Sequence, residues 1–202
     1  MIKAVIFALG GVIVPLDFPR GYRELEKHCP PAAEDIPKRI GTTDLVPRFE
    51  CGKIDKRDFH RELSQILDLS VDYDTFCSLW TSIFVPQSFL PVEWMPAIRK
   101  THRLLLLSNT NQIHFEMIRE NYRHIDHFDD FVLSYEVGVM KPNAPIYEEA
   151  IRKAGCKPEE CFFTDDVMPY VEGARRAGID AVQFQNAAQL KTALAERGIQ
   201  LT

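Results

Sequence analysis

Several features that mark nucleic-acid-binding and membrane proteins are missing from this sequence. No run of lysine or arginine exceeds two residues, and the 202-residue chain carries a formal charge of −5 at pH 7. This acidic balance argues against a nucleic-acid-binding surface. No apolar run approaches the roughly 18 residues that would span a bilayer, and no leader pattern precedes the first apolar segment. We therefore expect a cytoplasmic protein with neither nucleic acid nor a membrane as its partner.

The five cysteines also lack a pattern that would give them a chemical role. They form neither a CxxC pair nor a cysteine–histidine spacing suited to zinc, and their odd number fits reduced thiols. What the chain does contain is 46% hydrophobic residues, which is enough to build a core at this length. The sequence therefore predicts one compact domain, with room for an inserted subdomain.

Short apolar runs alternate with helical patterns over most of the chain, which indicates an α/β fold. Buried parallel strands are predicted at Ala4 to Phe7, Leu104 to Leu107, Phe131 to Leu133, Cys161 to Phe163 and Ala181 to Phe184. The predicted helices between and after them are Glu93–Lys100, Gln112–Asn121, Pro145–Ala154, Tyr170–Ala177 and Ala187–Arg197. Right-handed crossovers would join these elements into a doubly wound, Rossmann-like parallel sheet.

The segment between the first two predicted strands departs from this alternation. Residues 17–86 contain no strand pattern, whereas apolar residues recur at helical spacing within 59–67, directly after Asp55, a residue suited to capping a helix. We predict that 17–86 form an inserted helical cap subdomain. The α/β core domain would then consist of residues 1–16 and 87–202.

In an open parallel sheet, ligands bind beyond the carboxyl ends of the strands, so the residues that follow each strand are candidates for a site. The first strand runs into the string FALGG, and the second ends at Ser108 and Asn109. Lys141 follows the third strand, and Asp165 and Asp166 end the fourth. A hydroxyl, a lysine and two carboxylates at one edge suit a phosphate group and a magnesium ion. A nucleophile is missing from this set.

Four strings of the sequence resemble the motifs of haloacid dehalogenase superfamily hydrolases with a small helical cap. FALGGV is similar to the family's FDLGGV type of string. LLLLSNTN, GVMKPNAPIY and FFTDDVMPYVEGARRAG resemble the other three motifs in order and spacing. The cap phrase FECGKIDKRDF is similar to that of bacterial sugar-phosphate phosphatases, such as those acting on glucose 1-phosphate. The resemblance covers nearly the whole chain.

The resemblance implies a hydrolase that uses Mg²⁺ to dephosphorylate a small phosphorylated metabolite through an aspartyl-phosphate. It leaves the metabolite and the oligomeric state open. The resemblance implies that Ser108, Asn109 and Lys141 bind the phosphate. It implies that Asp166 is the main metal ligand, followed by Asp165 and the backbone carbonyl of Gly10.

Ala8 stands where the family has its nucleophilic aspartate, so this form of the chain is expected to be catalytically dead. Gly10 occupies the position of a second aspartate that is the general acid/base in many members, so water or a cap residue would have to serve. Ala8 is either an engineered substitution in an active phosphatase, which we favour because the other motifs are intact, or a feature of a natural pseudoenzyme that binds a phosphorylated ligand or a partner.

Two other classes are weaker alternatives. A 2-haloacid dehalogenase would use the same aspartate, but the paired Asp165 and Asp166 suit a metal that dehalogenation does not require. A response-regulator receiver also combines acidic residues, a hydroxyl and a lysine on a doubly wound sheet. The inserted cap and the order of the motifs argue against a receiver.

Overall fold

A computed structural model describes residues 1–201, and a five-stranded parallel sheet forms its centre. The strands are β1 (Ala4–Phe7), β2 (Arg103–Ser108), β3 (Asp130–Leu133), β4 (Cys161–Asp165) and β5 (Asp180–Gln183). Their order in the sheet is β3-β2-β1-β4-β5, and every neighbouring pair is parallel. All four residues of the central strand β1 are buried, which is why it reads as an unbroken apolar run. The predicted α/β fold with a Rossmann-like parallel sheet is confirmed.

The remaining regular segments are α-helices and two short 3-10 helices, Arg123–His127 and Pro158–Glu160. The α-helices are α1 (Phe18–Glu26), α2 (Ile36–Gly41), α3 (Leu45–Glu50), α4 (Lys56–Leu67), α5 (Tyr73–Thr81), α6 (Trp94–Arg99), α7 (Gln112–Asn121), α8 (Ser134–Val137), α9 (Ala144–Ala154), α10 (Met168–Arg176) and α11 (Ala187–Glu196). The predicted bounds of α7 match the structure, whereas α10 begins two residues before its predicted start. Pro169 lies in the first turn of α10, where its missing N–H costs nothing. Among the helices of residues 1–201, none combines the length and the hydropathy needed to cross a bilayer.

The helices α1 to α5 lie between β1 and β2 in the chain and build a second hydrophobic cluster. Asp55 caps α4, because its carboxylate accepts hydrogen bonds at 2.8 Å from the backbone N–H groups of Arg57 and Asp58. Behind that cap, the ring of Phe59 stacks on Phe49 with their centroids 4.1 Å apart. This insertion is therefore held together by its own buried residues, as well as by its contacts with the rest of the chain.

The two ends of the insertion lie side by side. Leu16 and Phe84 form an isolated antiparallel bridge, and the backbone N–H of Asp17 donates to the carbonyl of Ile83 at 2.7 Å. The chain thus leaves the neighbourhood of the sheet and returns to it at nearly the same place. The exact subdomain limits of 17 and 86 stay a prediction.

His114 lies in α7, the helix that follows β2, and contacts the insertion. Its Nε2–H donates to the carbonyl of Trp80 at 3.1 Å, and its Nδ1 accepts from the side-chain amide of Asn111 at 3.0 Å. The imidazole also stacks on the Trp80 ring at 5.3 Å. Burial lowers the pKa of His114 to about 4, so the ring is neutral at physiological pH.

We predict that the cost in stability of His114→Gln shrinks as the pH falls. In the unfolded chain, the imidazole binds a proton near pH 6.5, whereas the folded protein resists protonation down to about pH 4. The unfolded state therefore binds more protons than the folded state across this pH window. As the pH falls, the free energy of unfolding of the protein with His114 decreases by about 3 kcal/mol relative to that of the variant. The advantage of His114 is full above pH 6.5 and is lost toward pH 4.

Urea unfolding of both proteins between pH 7.5 and pH 4 measures this change. His28→Gln, which alters an exposed histidine, is the control for a general effect of losing an imidazole. A stability difference between His114→Gln and the native protein that stayed constant over this range would contradict the prediction.

Candidate active site

The carboxyl ends of β1, β2 and β4 open into one cavity of about 470 Å³. Its wall also receives side chains from the insertion, so it lies where the insertion faces the sheet. The residues predicted from the sequence that line this cavity are Gly10, Ser108, Asn109, Lys141, Asp165 and Asp166. The structure thus brings together side chains that are spread over more than 150 positions of the chain.

Lys141 and Asp165 form a buried ion pair at the base of the cavity. The Nζ atom of Lys141 lies 2.5 Å from Oδ2 of Asp165 and also donates to the carbonyl of Leu107 at 3.2 Å. The other carboxylate oxygen of Asp165 accepts the backbone N–H of Val167 at 2.9 Å. Since both oxygens of Asp165 are engaged, this carboxylate is better placed to orient Lys141 than to bind a metal directly.

Asn109 fixes the backbone of Lys141 from the end of β2. Its side-chain Nδ2 donates to the carbonyl of Lys141 at 3.1 Å, and its Oδ1 accepts the N–H of Lys141 at 2.8 Å. Neighbouring Ser108 is buried, and its hydroxyl donates weakly to the carbonyl of Asn109 at 3.3 Å. Ser108 is therefore freer than Asn109 to turn its hydroxyl toward a ligand.

Asp166 differs from Asp165 because it is exposed and has no cation within ion-pairing distance among residues 1–201. Partial desolvation raises the pKa of Asp166, and the adjacent charge of Asp165 raises it further. The carboxylate lies against Gly11, whose φ of +77° and missing Cβ permit this approach. An added Cβ would come within 2.3 Å of the carboxylate.

These residues fit a magnesium ion that retains several waters. Magnesium is usually held by one or two carboxylates together with water and phosphate oxygens. The unpaired carboxylate of Asp166 and the backbone carbonyl of Gly10 could supply protein oxygens at the cavity wall. In the part of the chain that the structure describes, no cluster of three or more histidine, cysteine, aspartate or glutamate side chains is arranged as a closed metal cage.

Ala8 follows β1 directly and is almost completely buried. Its backbone N–H donates to the carbonyl of Thr164 in β4 at 3.0 Å, and the next two residues, Leu9 and Gly10, line the cavity. Position 8 is therefore next to the site but offers a methyl group where a carboxylate is expected.

Glu50, at the end of α3, lines the cavity from the insertion and is a site residue that the sequence motifs do not indicate. Burial raises its pKa to about 7, so the carboxyl group is protonated about half of the time near neutral pH. The only signal for this residue in the sequence is its place in the cap phrase FECGKIDKRDF.

Comparison with known proteins agrees with this geometry. A family model described as haloacid dehalogenase-like hydrolase matches residues 92–178. A D-ribitol-5-phosphate phosphatase from Bacteroides thetaiotaomicron is 25% identical over 200 residues, which are 96% of this chain and 97% of that protein. A haloacid dehalogenase family enzyme from the same bacterium was solved in complex with magnesium and inorganic phosphate. It superposes on this chain with a TM-score of 0.82 at 26% identity, over 93% of this chain and 96% of that chain. The chain is therefore similar to haloacid dehalogenase-like hydrolases in its fold and over residues 92–178.

The region matched by the haloacid dehalogenase-like model contains Ser108, Lys141, Asp165 and Asp166 but not Ala8. An aspartate-to-alanine mutant of the Bacteroides thetaiotaomicron enzyme was also solved with magnesium and inorganic phosphate, and it superposes with a TM-score of 0.80 at 26% identity over 93% of this chain and 96% of that chain. A glyceraldehyde 3-phosphate phosphatase from Methanothermobacter thermautotrophicus is 40% identical over 90 residues, which are 41% of this chain and 37% of that protein.

The buried pair of Lys141 and Asp165 leads to a prediction about stability. Lys141→Met should cost about 3–5 kcal/mol, because it leaves the carboxylate of Asp165 buried without its cation. Adding Asp165→Asn should recover at least about 1 kcal/mol, since no unpaired charge then remains. Urea unfolding of the two variants measures both changes.

Lys38→Met is the matched control, because Lys38 is paired with Asp35 at 2.8 Å but on the exposed surface. Its loss should change stability much less than that of Lys141. If the double variant is no more stable than Lys141→Met alone, the unpaired carboxylate does not account for the loss.

The close approach of Gly11 to Asp166 leads to a second prediction at this site. Gly11→Ala should cost up to about 1 kcal/mol more than Gly138→Ala, because the exposed carboxylate of Asp166 must leave its present rotamer to make room. Both glycines have positive φ, +77° and +85°, but only at Gly11 would the new methyl group meet another residue. The comparison therefore separates the clash with Asp166 from the backbone strain that both variants share.

Adding Asp166→Ala to Gly11→Ala should remove this excess, because the overlapping carboxylate is then gone. Thermal and urea unfolding of the three variants measure it. Equal losses at Gly11 and Gly138 would show that the approach of Asp166 does not constrain position 11.

Proposed function

We propose that the cavity is the phosphate-monoester site of a magnesium-dependent phosphatase that acts on a small metabolite. The observation that carries the proposal is the convergence of Ser108, Lys141 and Asp166 on one cavity at the carboxyl edge of the sheet. The similarity to phosphatases acting on D-ribitol 5-phosphate and glyceraldehyde 3-phosphate supports a small phosphorylated substrate. As written, with Ala8, the chain binds such an ester without hydrolysing it.

Each residue has a separate part in this proposal. The amino group of Lys141, oriented by Asp165, binds the phosphate oxygens, and the hydroxyl of Ser108 donates to them. Asp166 and the backbone carbonyl of Gly10 hold magnesium, which, when bound, offsets negative charge on the phosphoryl oxygens. Asn109 acts on the phosphate site indirectly, because it holds the backbone of Lys141 in place.

Position 8 decides whether binding leads to reaction. An aspartate introduced there by Ala8→Asp would form a bond from its carboxylate oxygen to phosphorus while the ester P–O bond breaks. The departing alcohol oxygen takes a proton from water or from a cap residue. Water then hydrolyses the acyl phosphate, which releases inorganic phosphate and restores the carboxylate.

We expect no measurable phosphate release from the chain as written and magnesium-dependent release from Ala8→Asp. Loss of a covalent nucleophile lowers turnover by on the order of 10⁶ in other hydrolases. A panel of phosphate monoesters, assayed with magnesium and with a chelator, tests this. Ala8→Asn is the matched control, because it has the size of the aspartate without its nucleophilic carboxylate.

Calorimetry of the Ala8 protein with the same esters gives a second measurement that does not depend on turnover. Unlike an aspartate at this position, Ala8 places no negative charge close to the phosphate. This avoids a repulsion between carboxylate and phosphate oxygens of about 4 kcal/mol at a separation of ~4 Å, before screening by solvent. Steady phosphate release by the Ala8 protein would disprove the assignment of the nucleophile position. A folded Ala8→Asp variant that neither binds nor hydrolyses any ester would favour a partner-binding protein instead.

A further inference from the structure

A second cavity, of about 220 Å³, lies within the insertion. It is enclosed by α1, α2, α3 and α5, and we call it the apolar chamber. Most of its wall consists of hydrocarbon, contributed by Leu25, Ile40, Val46 and Leu79 among others. For comparison, a dry apolar cavity of about 150 Å³ is large enough to hold a benzene ring.

The apolar chamber adjoins the active-site cavity. Phe18, Glu50, Ile83 and His114 line both spaces, so the two cavities adjoin across these four side chains, and a ligand anchored in one would enter the other between them. The mouth of the active-site cavity is apolar as well, because Leu16, Phe18 and Val167 line it while remaining exposed. Large apolar side chains exposed beside a site commonly mark where an apolar ligand or partner binds.

The apolar chamber offers little to a polyhydroxylated ligand. Both ring nitrogens of His114 are already hydrogen-bonded to the protein. Among residues 1–201, no lysine or arginine lines the chamber, so a second phosphate or a carboxylate would find no cation there. Glu50 and Tyr22 are the remaining side chains with an oxygen in its wall, and the indole N–H of the lining residue Trp80 has no hydrogen-bond partner among residues 1–201. A sugar hydroxyl buried there without a partner would lose its hydrogen bonds to water.

We infer that the apolar chamber binds an aromatic or similarly flat apolar group in the alcohol portion of the phosphate ester. This inference rests on the proposed phosphate site and adds to it the class of leaving group. It also separates this chain from the relative that acts on D-ribitol 5-phosphate, since that alcohol is a polyol.

The test compares affinities for the chain as it exists, which should bind esters without consuming them. Calorimetry with magnesium present would use methyl, phenyl, 2-phenylethyl and 4-phenylbutyl phosphate, in which the ring lies progressively further from phosphorus, and D-ribitol 5-phosphate. We expect at least one ring-bearing ester to bind about tenfold or more tightly than methyl phosphate, because the ring is removed from water. Ribitol 5-phosphate should bind no more tightly than methyl phosphate.

Two variants locate the ring. Val46→Phe fills the apolar chamber from α3 and should abolish the preference for the ring while leaving methyl phosphate affinity unchanged. Val71→Phe is the matched control, because Val71 packs on the same hydrophobic cluster but does not line the chamber. Ile40→Phe fills the chamber from α2 and replaces Val46→Phe if that variant does not fold.

Tryptophan emission gives a measurement that is independent of affinity. The chain has two tryptophans, so Trp94→Phe leaves Trp80, which lines the apolar chamber, as the sole reporter. Ring-bearing esters should shift or quench its emission, whereas methyl phosphate should not.

The possible outcomes separate the two proposals. If methyl phosphate binds but no ring-bearing ester binds more tightly, or if the preference survives in the filled variants, the inference about the chamber is wrong and the phosphate site stands. If ribitol 5-phosphate is the tightest ligand, the chamber does not select an apolar group. If no phosphate compound binds at all, the proposed function fails, and the inference fails with it.

Discussion

The buried ion pair of Lys141 and Asp165 is the interaction on which the arrangement of the active site depends. Two opposite charges removed from water are stable only when they pair with each other and also form further hydrogen bonds. Here Lys141 pairs with Asp165, and the further hydrogen bonds come from backbone groups of β2 and of the turn after β4. The pair thereby connects the ends of two strands that lie on either side of β1. Position 8, directly after β1, lies between these two strand ends.

The two adjacent aspartates show how a strand end can divide roles between neighbours. β4 ends at Asp165, which is buried against Lys141, whereas Asp166 lies in the turn that follows the strand and remains open to the cavity. The resemblance to known hydrolases ranks Asp166 ahead of Asp165 as a metal ligand. In the structure, both oxygens of Asp165 are already engaged.

Much of the fold could be predicted because buried parallel strands leave a direct trace in the sequence. The runs at Ala4 to Phe7 and Leu104 to Leu107 are apolar throughout, and the residues that follow strands necessarily meet at one edge. Glu50 and the apolar chamber could not be predicted in this way. Their positions depend on how four short helices pack against one another. Helical periodicity predicts which face of each helix is buried, but it does not predict which other helices pack against that face.

The neighbouring ends of the insertion have a consequence for how such a protein can diversify. Since the chain departs and returns at one place, where Leu16 pairs with Phe84 and Asp17 with Ile83, the insertion is a side branch of the sheet's connectivity. Lys141, Asp165 and Asp166 all lie outside it, whereas most of the apolar chamber lies within it. Exchange of this one segment by recombination would therefore replace most of the apolar chamber while leaving the residues at the strand ends unchanged.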